Sequence, residues 1–227
     1  MCGRFTTTMP LEELVKYFHI QKITGEYTPL YNAAPSQNIP VIIDNDPRML
    51  VFFRWGLVPS WAKDINIGYR LINARAESLL EKPSFRNAYK KRRCLIAADS
   101  FFEWKEESQK KKVPYRIMMK NDSPLAIAGL WEEWKQPQQE ALFSCTIITT
   151  EANSLLQPIH KRMPAIIAPE QLDLWLDPKI QDPAKLDPLL RPYPADRFHY
   201  YPVSPLVNSP RNNSPEVLAP LESESLW

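Results

Sequence analysis

The chain has 227 residues, of which 44 % are hydrophobic and 24 % charged, a globular makeup whose formal net charge of +2 points to no partner by itself. Cys2, Cys94 and Cys145 are too few and too scattered for a disulfide scaffold or a zinc cluster, and no apolar run approaches the ~18 residues of a membrane span. The opening Met-Cys-Gly-Arg is neither a signal nor a transit peptide, so the expectation is a soluble, cytoplasmic protein with no metal and no cofactor.

The predicted elements run as follows. Residues 8–20 read as an amphipathic helix, with Leu11, Leu14, Val15 and Phe18 on one face and Pro10 in the first turn. Two strands, starting at Val41 and Met49, flank an Asp-Asn-Asp-Pro turn, and the loop Trp55-Gly-Leu-Val-Pro-Ser-Trp61 follows. Residues 69–73 read as a short strand, 76–80 as a helical turn or two and 85–92 as a basic helix. Strands are expected at 94–97, 101–104, 115–119, 125–131 and 142–149, joined by polar linkers at 105–112 and 135–140. Helices follow at 170–176 and 183–190, the second started by Asp182 and Pro183. With 23 prolines against 5 glycines, the loops should be fixed rather than flexible, and the stretch from about residue 205 should run over the surface as an extended tail. No repeat or composition shift marks a boundary. The expectation is a single α+β domain over residues 1–227: a large, mostly antiparallel sheet, curled toward a barrel, with helices on its outside.

Several residue types invite chemistry. Removal of Met1 would turn Cys2 into an N-terminus with an α-amine and a thiol on adjacent carbons. Such an amine has a reference pKa of about 7.7–8.0, so roughly a quarter of it is neutral and nucleophilic at pH 7.4. It condenses with an aldehyde to an imine, and the thiol then closes a five-membered thiazolidine. Glu103 stands among Phe101, Phe102 and Trp104; it is either desolvated, with a raised pKa suited to a general acid, or turned to water by strand alternation. His160, in a loop between Pro158 and Pro164, is either a satisfied surface histidine or a proton shuttle. His19 and His199 read as structural, and Cys94, Cys145 and Trp55 as core. Trp61, in its loop, reads as exposed. Basic residues Arg86, Lys90, Lys91, Arg92 and Arg93 crowd one stretch and Lys110, Lys111 and Lys112 another; aromatics interleaved with arginines suit single-stranded nucleic acid.

The ordered set of short motifs resembles the SOS-response-associated peptidase (SRAP) family. It comprises Met-Cys-Gly-Arg-Phe at the start, Tyr31-Asn-Ala-Ala-Pro35, Trp55-Gly-Leu-Val-Pro-Ser-Trp61, Ile72-Asn-Ala-Arg-Ala-Glu77, Ser84-Phe-Arg86, Arg93-Cys94, Phe102-Glu-Trp104, Ile159-His160, Tyr201-Pro-Val-Ser204 and Val207-Asn208. The resemblance runs from Met1 to about residue 220.

It implies a protein that binds single-stranded DNA and captures abasic sites as a covalent crosslink, with weak lyase activity and removal of its own Met1. In that reading Cys2 is the nucleophile, Asn73 orients the N-terminal amine, Glu103 protonates the ring oxygen of the closed sugar, and His160 assists proton transfer and reversal. Arg4, Arg75 and Arg86 would hold phosphates, Trp61 would stack, and Phe5 or Pro35 would wedge into the gap left by the missing base. The partner is single-stranded DNA containing abasic sites, with no membrane involved, and the protein acts as a monomer, nucleoid-associated when bound to DNA. Two alternatives are a thiol hydrolase using Cys2, His160 and Glu103 or Asn73, and a non-catalytic binder of modified bases.

Overall fold

The computed structural model describes residues 2–44, 46–107, 111–138 and 140–221. Met1 and its expected removal, Asn45 of the expected turn, Lys110 of the second basic run and Gln139 of a polar linker lie outside them, as do Ser108, Gln109 and residues 222–227.

Among the described residues the strands are β1 (Phe5–Thr7), β2 (Lys22–Ile23), β3 (Leu30–Ala33), β4 (Asn38–Asp44), β5 (Arg48–Trp55), β6 (Asn73–Arg75), β7 (Arg93–Ala98), β8 (Ser100–Glu106), β9 (Lys112–Met119), β10 (Leu125–Trp134), β11 (Leu142–Glu151), β12 (Arg162–Pro164) and β13 (Phe198–Pro202). The helices are α1 (Leu11–Phe18), α2 (Arg86–Lys91), α3 (Leu172–Leu176) and α4 (Pro183–Leu186).

Strands β4, β5, β11, β10 and β7 close into a mixed barrel. All of its pairings are antiparallel except the one that shuts the ring, β5 on β11, where Arg54 and Trp55 run parallel to Ser144 and Cys145. A second sheet, ordered β13-β9-β8-β1-β3, is antiparallel throughout. Strand alternation sorts the barrel residues into two cores. Val41, Ile43, Cys94, Ile96, Cys145 and Ile147 join the cluster that also holds Phe5, Phe101 and Ile117 from the second sheet. Ile42, Leu50, Leu95, Ala97 and Ala128 face the other way and meet Leu14 and Phe18 of α1, Tyr89 of α2 and Trp175 of α3.

The predicted elements stand with local corrections. The strand expected at 69–73 is a 3-10 turn, Ile65–Arg70, started by Asp64, whose carboxylate accepts from the Asn66 N–H at 2.9 Å; the strand begins only at Asn73. The helix expected at 183–190 shortens to α4 followed by a 3-10 turn, Asp187–Leu190, because Pro188 has no N–H to continue an α-helix. The basic helix keeps Arg86, Lys90 and Lys91 exposed, while Arg92 pairs with Glu132 at 2.7 Å and Arg93 enters β7 as a buried residue.

The tail is anchored. Val203, Val207 and Val217 pack on Phe102, the face of β8 opposite Phe101, and the Val203 N–H donates to the Pro114 carbonyl at 2.9 Å.

Candidate active site

Four side chains from distant parts of the chain meet where the second sheet lies against the barrel. Cys2 precedes β1 and is fully buried, its thiol 3.9 Å from the Arg4 carbonyl. The same carbonyl accepts the Phe102 N–H at 3.0 Å, which ties the N-terminal arm to β8 one residue before Glu103.

Asn73 arrives on β6, which runs parallel to β11 with Asn73 beside Ile147. Its path is set by a close crossing of two glycines. Gly56 has a positive φ of 120°, and a Cβ there would come within 2.7 Å of the Gly68 carbonyl. Side chains are excluded at both positions, and the chain between Gly68 and Asn73 can lie on the barrel wall. The Trp55 indole N–H then fixes the Ile72 carbonyl at 2.9 Å. The Asn73 amide donates to the Cys2 carbonyl at 2.9 Å, and its buried Oδ1 has no hydrogen-bond partner among the described residues.

Glu103 is buried because alternation turns it to the same side as Phe101, between the sheets, while Phe102 and Trp104 face the tail. The desolvation reading of its sequence context therefore holds. Burial pushes its carboxyl above the ordinary carboxylate range, and nearby His160 pulls the other way. His160 Nδ1 lies 3.9 Å from Glu103 Oε1. The ring is set by Arg162, whose backbone N–H and carbonyl both lie 3.0 Å from Nδ1. Burial, and secondarily the charge of Glu103, raise the Cys2 thiol well above its usual value, so it is a neutral S–H in this setting.

The residues expected to touch DNA divide. Trp61 is 58 % exposed, Arg75 and Arg86 are exposed and Pro35 is half-buried. Phe5 is corrected: it is fully buried against Trp55, with ring centroids 5.3 Å apart, and has no surface to insert between bases. Arg4 is directed elsewhere. Its Nη1 donates to Asn32 Oδ1 at 2.8 Å and to the Val207 carbonyl at 2.7 Å, and its Nη2 to the Asn208 carbonyl at 3.1 Å. Two features were passed over in the sequence. Glu77 forms a two-pronged pair with Arg162 at 2.7 and 3.0 Å, joining the β6 side of the site to the His160 side; both lie in or beside quoted motifs, the one available signal. Tyr69, assigned to a strand, is 59 % exposed, with the Arg54 guanidinium 5.6 Å from its ring centre. A cavity of about 390 Å³, lined by Ala76, Glu77, Leu79, Tyr89 and Asp187 among others, contains none of the four central residues. Among the described residues no cluster of three or more His, Cys, Asp or Glu could hold a metal, and no helix is long and apolar enough to cross a membrane.

A barrel-and-sheet fold thus brings a cysteine near the start of the chain, an asparagine, a buried carboxyl group and a histidine together. The chain belongs to the family described as SOS response associated peptidase (SRAP), whose profile matches residues 1–210. It is 52 % identical over 221 residues to the abasic site processing protein YoqW of Bacillus subtilis, spanning 96 % of this chain and 99 % of that protein. It is 32 % identical over 272 residues to the mouse abasic site processing protein HMCES, spanning 98 % of this chain and 76 % of the relative. A crystal structure of a protein from Bacteroides thetaiotaomicron superposes with a TM-score of 0.86 at 27 % identity, covering 97 % of this chain and all of that one. The α+β fold with a curled barrel is thereby the family's fold.

Proposed function

We propose that this chain processes abasic sites in single-stranded DNA by covalent capture through Cys2. The observation that carries the reading is the meeting of Cys2, Asn73, Glu103 and His160, with the Asn73 amide on the Cys2 carbonyl at 2.9 Å and His160 3.9 Å from Glu103. The names of the relatives, abasic site processing proteins, point the same way.

Loss of Met1 frees the α-amine of Cys2. Asn73, already holding the Cys2 carbonyl, has its buried Oδ1 left to accept an N–H from that amine. An abasic sugar is a closed hemiacetal in equilibrium with an aldehyde. Glu103, whose burial favours the protonated form, gives a proton to the ring oxygen as the C1′ hydroxyl loses its own, and the aldehyde opens. The amine adds to C1′ and water leaves, giving the imine. The Cys2 sulfur then adds to the imine carbon, and the thiol proton ends on nitrogen, closing the thiazolidine. A thiol that stays neutral needs a base for this step, and His160 beside the Glu103 carboxylate supplies the relay. Imine chemistry next to a β-phosphate also permits elimination, the source of a weak lyase activity; ring closure consumes the imine and suppresses it. The missing base lets the protein enter the gap without flipping a nucleotide. Trp61, Arg75, Arg86 and Pro35 flank the strand.

The test is intact-protein mass with and without an abasic oligonucleotide. Wild type should lack Met1 and gain the mass of the DNA less one water. Cys2→Ala keeps an α-amine, so it should give only a borohydride-trappable imine and no durable adduct. Retention of Met1 in crosslinking protein, or a Cys2→Ala adduct as durable as wild type, would sink the mechanism.

A further inference from the structure

The tail makes polar contacts at both ends of the reacting group. Arg4, two residues after Cys2, places two guanidinium nitrogens on the Val207 and Asn208 carbonyls at 2.7 and 3.1 Å. Trp104, the residue after Glu103, donates its indole N–H to Asn208 Oδ1 at 2.7 Å. Asn208 therefore touches the neighbour of the thiol with its backbone and the neighbour of the acid with its side chain. The grip is itself fixed from beneath. Asn32, on β3, donates its amide to the carbonyls of Val207, Ser209 and Asn212 at 3.2, 3.0 and 2.9 Å, and its Oδ1 accepts from Arg4. Val207, fully buried on Phe102, anchors the same turn in the apolar layer. Asn208 itself is exposed and adds nothing to that layer. Among the described residues its side chain makes one hydrogen bond, to a residue adjoining the site.

We propose that the tail turn at Val207–Asn208 is a clamp that sets Cys2 against Glu103, and that Asn208 is a positioning residue acting through Trp104. The proposal rests on the reading of Cys2 and Glu103 as the reacting pair. Covalent capture asks Cys2, just before β1, and Glu103, on β8, to meet neighbouring atoms of one sugar, and displacements of about 1 Å can cost a hundredfold in rate. A clamp that holds both strands from the far side of β8 supplies that alignment without touching DNA. It also gives a physical use to the Val207-Asn208 motif, which contains none of the four central residues.

The experiment is a single-turnover crosslinking time course at saturating abasic oligonucleotide, run beside a DNA-binding titration and a thermal melt, on full-length protein. Asn208→Ala should slow capture by about tenfold, within the range of such misalignment effects, with DNA affinity unchanged within twofold and the melt little altered. Asn208→Asp keeps an acceptor for the Trp104 indole and should restore most of the rate. Trp104→Phe keeps the ring and loses only the N–H, so it should reproduce the Asn208→Ala defect. The double variant should be no slower than either single one, since both remove the same bond. Wild-type rates for Asn208→Ala, a defect that tracks lost DNA affinity, lack of rescue by aspartate, or additive losses in the double variant would each overturn the clamp. Absence of any crosslink from wild type would instead overturn the functional reading on which it rests.

Discussion

Two ionisable side chains on strands that are consecutive in sequence but belong to different sheets are buried almost equally, Arg93 in β7 at 3 % exposure and Glu103 in β8 at 4 %. Their surroundings differ. Arg93, on the helix-covered wall, is saturated by backbone: its Nε donates to the Trp175 carbonyl at 2.6 Å, its Nη1 to Tyr89 and Lys90 at 2.8 Å each, and its Nη2 to Asp177 and Ile180. The Trp175 ring lies 5.6 Å from its guanidinium. Glu103 faces His160 and Cys2, groups that exchange protons themselves. Burial alone therefore does not mark a site. A buried charge surrounded by carbonyls is a staple, and a buried ionisable group facing titratable neighbours is a candidate for chemistry, the role proposed above for Glu103.

That contrast can be broken experimentally. Arg93→Ala should be the most damaging to folding, because it leaves several buried carbonyls without a donor. A loss of several kcal/mol is expected, since each buried carbonyl left without a donor costs about 1–3 kcal/mol. Urea denaturation measures it, and a loss below 1 kcal/mol would make Arg93 no staple. Glu103→Gln should do the opposite. Stability should hold or rise, while capture of a natural abasic site slows by roughly a hundredfold, the weight of a general acid. An abasic analogue that is already an open-chain aldehyde bypasses the acid step and should be slowed far less. Equal slowing on both would move Glu103 from ring opening to a role in placing Cys2. His160→Ala should slow both substrates by similar factors and alter the rate at which a finished crosslink passes to a second oligonucleotide.

The pH dependence follows from the same shift. The folded Glu103 carboxyl has a raised pKa, so the folded state binds the proton more tightly than the unfolded chain. Its contribution to stability is complete below the ordinary glutamate value of about 4.3 and is lost as pH rises through the folded pKa. Wild type should lose stability across that interval, and Glu103→Gln should lack that component of the slope. The capture rate on natural abasic DNA should decline over the same range as the acid deprotonates. The smallest effect belongs to the exposed rim. Arg75→Ala should reduce the log–log salt slope of single-strand binding by about 0.7, one phosphate contact, and should weaken all sequences alike. A sequence-dependent loss would mean that Arg75 reads bases.

Much of this arrangement was legible in the chain. Alternating apolar residues gave the barrel strands, and the motifs gave the four central side chains. The strand-to-strand register was not legible, and it decides the rest. Glu103 could have faced water or the interior; only the packing of Val203, Val207 and Val217 on Phe102 settles which side of β8 lies inward. Phe5 read as a free aromatic because nothing local announces Trp55 as its neighbour. Arg4 read as a phosphate ligand because two of its acceptors, the Val207 and Asn208 carbonyls, lie more than two hundred residues away. The parallel closure of β5 on β11 rests on two residue pairs and carries no turn signal.

The span of those contacts has a temporal consequence. Phe5 pairs with Phe101, Asn73 lies beside Ile147, and Arg4 reaches Val207. Long loops must close before such contacts form, which makes them late and slow compared with hairpins such as β10–β11. During synthesis at about 5–20 residues per second, the thiol at position 2 exists for many seconds before residue 207 leaves the ribosome. Through that interval the nascent chain carries a nucleophile without its acid, its amide or its clamp. On the function proposed above, reactivity toward abasic DNA switches on with the last docking event, and crosslinking competence would report completed folding from residue 2 to the tail turn.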